Sequence, residues 1–315
     1  MIFTLGIDIG STTLKAVVVD EAGKIVFKDY QRHFSMVREK TNELLHIIKP
    51  IIGDNFVHIA VTGSAGLGVA KAYDLPFVQE VFATAKAVDE FIPNTDVVVE
   101  LGGEDAKILF FKGTLEERMN GSCAGGTGAF IDQMAVLLGV TPKELDDLSK
   151  QSEKIYSIAS RCGVFAKSDI QPLLNQGAKK EDIAASIFQC VVDQTTSGLA
   201  AGRKLEGKIA FLGGPLFFFE GLRNRFVETL KNSLEEAIFP EDALYFVAKG
   251  AAIYAGGVAV QSFEDILTRI DQNKHIKDFA RTLSPLFEDE KAFDDFKNRH
   301  SQSTVKTLDI NDYKG

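Results

Sequence analysis

The sequence contains no tryptophan and only three cysteines and eight prolines among its 315 residues. Three cysteines cannot build a disulfide framework, which excludes a small cross-linked scaffold and leaves each thiol to be explained separately. No apolar run approaches the roughly 20 residues that span a bilayer. The N-terminus, MIFTLGIDIGSTTLK, lacks the charged, apolar and small-residue sections of a signal peptide. These absences lead us to expect a cytoplasmic protein with reduced thiols and no membrane partner. Positive charge is scarce as well: 35 Lys and Arg against 44 Asp and Glu leave a net charge of −9, so no broad basic field exists to attract nucleic acid. A 45% hydrophobic content supplies core enough for about two domains at roughly 100–200 residues each.

Ile2 to Ile9, Lys15 to Val19 and Lys24 to Phe27 are apolar runs separated by Gly10-Ser11-Thr12-Thr13 and Asp20-Glu21-Ala22-Gly23, a pattern that predicts an antiparallel meander. A helix is expected over Val37 to Lys49, ended by Pro50, then a strand at Val57 to Val61 and a Gly-rich turn at Thr62 to Gly66. Val97 to Leu101, Gly102-Gly103-Glu104-Asp105 and Ala106 to Phe111 echo the opening, with carboxylates beside glycines at a strand end. A further Gly turn, Leu212-Gly213-Gly214-Pro215, follows the apolar run Ile209 to Leu212. Helical periodicity is clearest at Phe130 to Leu138, Ile183 to Leu199 and Phe226 to Ile238. The expected architecture is α/β, two lobes with their Gly-rich turns facing one cleft. After Gly257 the chain becomes charged, so the core is expected to stop near Val260.

In Asp8-Ile9-Gly10-Ser11-Thr12-Thr13-Leu14-Lys15, small residues let backbone N–H groups and hydroxyls approach a phosphate. Asp8 is a candidate to hold Mg²⁺ through water, and Lys15 to neutralise phosphate charge. Taken alone, a Gly/Ser hairpin with a solvated lysine accounts for the segment equally well. Three such turns favour a nucleotide: Gly102 and Gly103 offer a second phosphate loop, and Gly213 and Gly214 a close approach suited to adenosine. Glu104 and Asp105 are candidates for orienting the attacking water or holding the metal, with Glu80 a weaker one, because chemistry at a terminal phosphate needs positioning and electrostatics. The arrangement resembles the actin-like (ribonuclease H-like) ATPase fold of sugar kinases, actin and heat-shock ATPases. In those proteins a D-x-G-x-x-x-x-K hairpin, a strand with a Gly-Gly turn and a later Gly-Gly form the two phosphate loops and the adenosine loop. The resemblance maps them to Asp8–Lys15, Glu100–Asp105 and Gly213-Gly214, with Glu100 standing where Asp is usual. On this reading lobe I is 1–107 with both phosphate loops, and lobe II is 108–243 with the adenosine loop and the cysteine segments. Residues 244–260 return to lobe I, and 261–315 form a charged extension or linker.

Cys123, in NGSCAGGTG, and Cys162, in SRCGVF, each directly precede an expected helix, where exposed N–H donors and the dipole favour thiolate. Cys190 falls within an amphipathic helix and reads as a small buried hydrophobe. Two thiolates per chain cannot complete a [4Fe–4S] cluster, although a two-fold dimer doubles the set. Spacing alone does not identify a cluster; cysteines tolerated in tight turns account for it too.

The segments GIDIGSTTLKAV, ELGGEDAKI, NGSCAGGTGAFI, CGVFAKSDI and FLGGPLFF occur in this order between Gly6 and about Gly257. Together they resemble the activases of 2-hydroxyacyl-CoA dehydratases, which include the ATPase subunits of benzoyl-CoA reductases. The resemblance implies that Cys123 and Cys162 bind one [4Fe–4S] cluster bridging two subunits. It also implies that Gly125, Gly126 and Thr127 belong to the cofactor-binding loop; Gly125 replaces the Ala more often found in C-A-A-G-T-G. The implied activity couples ATP hydrolysis to low-potential electron transfer into a partner iron–sulfur enzyme, by changing the angle between subunits. The cofactors so implied are ATP/ADP, Mg²⁺ and the cluster, and the electron donor is a ferredoxin or flavodoxin. The tail from Phe287 to Gly315 resembles the connector of large activase-like proteins, so the chain is expected to be the N-terminal ATPase domain of a longer one, with the cluster bridging either a homodimer or a tandem-domain pseudo-dimer. A sugar-kinase type of phosphotransferase and a non-enzymatic nucleotide-gated module fit the same three loops but give the cysteines no role.

Overall fold

Largely apolar runs, buried on both faces over most of their length, build β1 (Ile2–Ile9) and β2 (Thr13–Val19), which pair antiparallel with each other, and β2 pairs in the same sense with β3 (Ile25–Arg32). The expected meander is present, with a third strand reaching five residues beyond Phe27. The chain then forms α1 (Val37–Ile52), β4 (Phe56–Thr62), α2 (Gly66–Tyr73) and α3 (Glu80–Phe91). Its second half runs β5 (Val97–Leu101), β6 (Ala106–Phe110), β7 (Glu116–Met119), α4 (Gly128–Leu138), α5 (Pro142–Ser149), α6 (Gly163–Asn175) and α7 (Lys180–Asp193). It continues through β8 (Gly207–Leu212), α8 (Gly214–Phe218), α9 (Glu220–Leu230), β9 (Leu234–Ile238), α10 (Phe246–Ala255), β10 (Gln261–Ser262) and α11 (Phe263–Gln272). The computed structural model describes residues 1–121, 124–160, 162–272 and 285–303. Through α11 they form one unit; a separate unit holds α12 (Glu290–Ser301), where Phe287 packs its ring against those of Phe293 and Phe296.

The two five-stranded sheets, β3-β2-β1-β4-β10 and β7-β6-β5-β8-β9, share one topology over their first four strands and differ at the fifth, where β10 runs antiparallel to β4 and β9 parallel to β8. In each, three antiparallel strands are followed by a strand parallel to the first: β4 beside β1, and β8 beside β5. The internal echo in the sequence is thus a duplicated fold. β5 and β6 pair inside the second sheet, so the second Gly-rich hairpin sits in the second half of the fold and not in a first lobe ending at residue 107. α3 carries the chain out of the first half and α10 brings it back, and the small residues Ala83, Ala251 and Ala255 let these helices pack closely with Ala60 and Val247.

Several boundaries differ from the sequence-based expectation. Pro50 lies inside the last turn of α1, on its exposed face, because Ile48 and Ile52 are fully buried and hold that turn in the core. The periodic run to Ile238 is split. α9 stops at Leu230, whose carbonyl accepts from the backbone and hydroxyl of Ser233, and the next apolar residues enter the second sheet as β9. α7 continues into a π-helical turn, Gln194–Leu199, where the hydroxyls of Thr195 and Thr196 donate back to the carbonyls of Val191 and Val192. The core does not stop at Val260. Phe263, Ile266, Leu267 and Ile270, at helical spacing on α11, are buried against Leu44, Ile48 and Ile59 in the first lobe.

Candidate functional site

The duplicated halves aim two hairpins at one cleft of about 300 Å³. In the first, Asp8 on β1 faces Lys15 on β2, and Gly10 N–H closes the turn onto Thr13 O at 2.9 Å. In the second, Glu100 on β5 faces Lys107 on β6, and Gly102 N–H closes onto Asp105 O at 2.7 Å. Each hairpin therefore places an acid, then a glycine two residues on, then a lysine across the strand pair. The glycines that follow the parallel strands correspond as well. Gly63 after β4 has φ +93° and Gly213 after β8 has φ +90°, and a Cβ on either would sit 2.3 Å from Ile9 O or 2.1 Å from Leu101 O. Only glycine lets these strand ends pass so close beneath the two hairpins.

Of the residues singled out in the sequence, Asp8, Gly10, Ser11, Thr12, Thr13 and Lys15 line the cleft, and so do Gly102, Gly103, Asp105, Gly213 and Gly214. Glu104 does not: it is exposed, and its backbone carbonyl accepts from Asn120 Nδ2 at 3.0 Å. Gly125, Gly126 and Thr127 are buried outside the cleft, in the turn that leads into α4, with Thr127 as the N-cap residue. Lys107, Tyr30, Arg32, Asp132 and Phe218 also line the cleft and were not singled out. Lys107 was legible, since Glu100 to Lys107 repeats the seven-residue step from Asp8 to Lys15. The others carry no local signal.

The cleft floor is strongly charged and largely buried. Lys15 Nζ lies 2.7 Å from Asp8 Oδ2, with the Asp8 side chain 1% exposed. Lys107 Nζ donates to Glu80 Oε1 at 2.5 Å, and Thr84 Oγ1 donates to Glu100 Oε2 at 3.3 Å. Burial works against the charge on both lysines but is outweighed, by Asp8 at Lys15 and by Glu100 and Glu80 at Lys107, so both amines hold their protons above the ordinary lysine range. Glu80 goes the other way. Burial, reinforced by the negative charges of Glu100 and Asp8, outweighs the attraction of Lys107 and pushes its carboxyl up to about 7. Asp8 Oδ1 is buried with no hydrogen-bond partner. An uncompensated carboxylate oxygen among further carboxylates suits a hard divalent cation such as Mg²⁺, which retains water and takes ligands from phosphate.

The second hairpin is tied to α4. Gly128 N–H donates to Gly102 O at 3.0 Å and Ala129 N–H to Gly103 O at 2.8 Å, while a Cβ on Gly103 would fall 2.0 Å from Thr12 Oγ1 of the first hairpin. The first hairpin, the second hairpin and the start of α4 thus form one contiguous stack. Cys123, expected just upstream of α4, lies outside the described residues. Cys162 is half-buried at the N-cap of α6 and is followed by the exposed Val164 and Phe165. Gly163 abuts Phe130 and Gln133 of α4, so the helices that follow the two cysteine segments touch. Cys190 is buried, its thiol donating to Ala159 O at 3.4 Å and pushed up to about 12 by burial, which keeps it protonated and unavailable to a metal.

Duplicated sheets, paired acid–lysine hairpins and a third glycine turn around one cleft define the class as a two-lobed ATPase of the actin-like fold. The chain belongs to the BadF/BadG/BcrA/BcrD ATPase family, whose model matches residues 5–255. It is 31% identical over 261 residues to the (R)-2-hydroxyglutaryl-CoA dehydratase activating ATPase of Acidaminococcus fermentans, covering 81% of this chain and 97% of that protein. The crystal structure of component A of the same organism's dehydratase is similar, with a TM-score of 0.71 at 28% identity over 84% of this chain and 99% of the other. The activator of the 2-hydroxyisocaproyl-CoA dehydratase from Clostridium difficile, solved with bound ADPNP, has a TM-score of 0.70 at 28% identity, covering 90% of this chain and 100% of that one.

Proposed function

We propose that this chain is an ATP-dependent activator that hydrolyses ATP in the cleft and delivers a low-potential electron to a partner iron–sulfur enzyme such as a 2-hydroxyacyl-CoA dehydratase. The observation that carries this reading is the backbone bonding of Gly128 and Ala129 to Gly102 and Gly103. It joins a phosphate-facing hairpin directly to the helix that follows the first cysteine segment. Gly10 to Thr13 and Gly102-Gly103 cradle the phosphates, Lys15 and Lys107 neutralise their charge, and Gly213-Gly214 admit the adenosine beside Tyr30 and Phe218. Asp8 would hold Mg²⁺, which when bound would offset the charge that develops on the terminal phosphate. Glu80 takes a proton from the attacking water as its oxygen bonds to the γ-phosphorus and the bond to the β-phosphate oxygen breaks, leaving ADP and phosphate. Asp105 shares the cleft with Glu80 and supports the water's position. The exposed Glu104 has no part in this reading.

Cys123 and Cys162, with the same pair from a second ATPase domain, would hold a [4Fe–4S] cluster that supplies one-electron reducing power when bound. The second domain is a copy of this chain or a tandem repeat, the electron donor a ferredoxin or flavodoxin, and the compartment the cytoplasm. No helix among the described residues is long and apolar enough to cross a membrane. The sugar-kinase alternative has less behind it, because the relatives reported above are dehydratase activators. Anaerobic purification tests the choice. Brown protein with stoichiometric iron and sulfide, lost in C162S and C123S while ADP binding persists, is the expected result. Colourless protein that phosphorylates a metabolite, or C162S retaining full iron, would overturn it.

A further inference from the structure

The two hairpins differ in how they dispose of one carbonyl. Gly102 O is taken by the N–H of Gly128 at the start of α4. Its counterpart Gly10 O has no helix in that place, because β3 leads into a short turn before α1. The donor there is a side chain: His33 Nε2 lies 2.9 Å from Gly10 O, and the ring is 2% exposed. Ser35 N–H donates to His33 Nδ1 at 3.2 Å, so Nδ1 is the bare nitrogen and the proton sits on Nε2, aimed at the loop. The turn that brings Ser35 round is bent for this purpose, with Phe34 at φ +48° and Ser35 at φ +64°, a conformation that costs most residues energy.

His33 serves the loop twice, since its backbone N–H donates to Thr12 O at 3.2 Å. Ile9 O accepts from Ala65 N–H at 2.9 Å, and Thr13 O accepts from Gly10 N–H. Four carbonyls of the first hairpin are therefore turned onto protein donors. A carbonyl facing an anion repels it, so a loop with these four carbonyls held back presents amides and hydroxyls more readily. We infer that His33 is a positioning residue for phosphate binding, its imidazole replacing in the first half of the fold the helix-terminal amide that does this work in the second. The inference rests on the nucleotide reading of the cleft and adds a residue to it.

The test compares dissociation constants for ADP and for adenosine in the wild type, H33F, H33Q and H33N. An unsatisfied Gly10 carbonyl, buried or swung toward the phosphates, should weaken ADP binding about tenfold in H33F. Adenosine, which does not meet this loop, should change less than twofold. H33Q, whose longer amide N–H reaches toward Gly10 O, should recover most of the loss, and H33N, too short to reach, should not. ADP binding unchanged in H33F, equal losses for ADP and adenosine, or no difference between H33Q and H33N would each overturn the proposal. If H33F does not fold, the Gln and Asn pair decides. Wild-type protein that binds neither ADP nor adenosine would overturn the nucleotide reading, and this one with it.

Discussion

Glu80 and Glu104 show how a single residue's environment selects its role. Both are carboxylates near the second hairpin, yet only Glu80 enters the cleft, where burial, reinforced by Glu100 and Asp8, holds its carboxyl up near 7. A raised carboxylate is mostly protonated at pH 6 and mostly ionised at pH 8, and a base must be ionised to accept the water's proton. ATP turnover should therefore rise across that interval. E80Q should lower kcat by about 100-fold or more and flatten the profile, as a steady-state pH series would show; a profile unchanged by E80Q would remove Glu80 from the chemistry. For Asp8, whose Oδ1 lacks a partner, D8N should abolish the tightening of ADP binding by Mg²⁺ while sparing metal-free binding, measured by calorimetry with and without the ion. Asp8 and Lys15 were legible in the sequence because they lie seven residues apart in one hairpin. Glu80 was only weakly so: its partner Lys107 is 27 residues away, and nothing local announces that the two meet.

At the level of elements, α11 shows how composition misleads. The stretch after Gly257 looks charged and dispensable, yet one stripe of it is apolar at helical spacing and completes the first lobe's core. Truncating fully buried Phe263 removes aromatic surface and leaves a cavity, so F263A should cost about 3–5 kcal/mol in urea-induced unfolding. A loss below about 1 kcal/mol would place α11 outside the cooperative core. The opening meander and the strand before Gly213 were readable because period-two alternation and glycine turns are local signals. The end of α9 was not, because the apolar run through Ile238 satisfies a helix or a buried strand equally well, and only pairing with β8 decides between them.

Across the whole molecule, one face of the edge strand β3 reaches over the cleft. Lys28 Nζ meets Asp242 Oδ1 at 2.6 Å, the rings of Tyr30 and Phe218 are 5.9 Å apart, and Arg32 meets Asp132 of α4 at 3.1 Å. These contacts must part if the cleft opens for nucleotide exchange. Exposed ion pairs are worth about 0.2–1 kcal/mol, so R32A should speed ADP release by about fivefold at most, measured by stopped-flow displacement of a fluorescent analogue. The exchange of charges in R32D with D132R should restore the slow rate; a rate that stays fast would show that the pair does not hold the lobes. Because Asp132 lies on the helix whose first amides hold Gly102 and Gly103, β3 and the second hairpin are both tied to α4.

By itself the sequence determined the local parts: hairpins with an acid, a glycine and a lysine at fixed steps, the third glycine turn, and thiols ahead of helices. Such features arise from interactions within a few residues, which periodicity and turn chemistry encode directly. The tertiary structure alone decided that Glu80 and not Glu104 faces the cleft, that His33 backs the first hairpin, and that Arg32 meets Asp132 from 100 residues away. Those pairings come from two duplicated sheets closing on one another, and the packing of distant segments leaves no repeating mark in the chain.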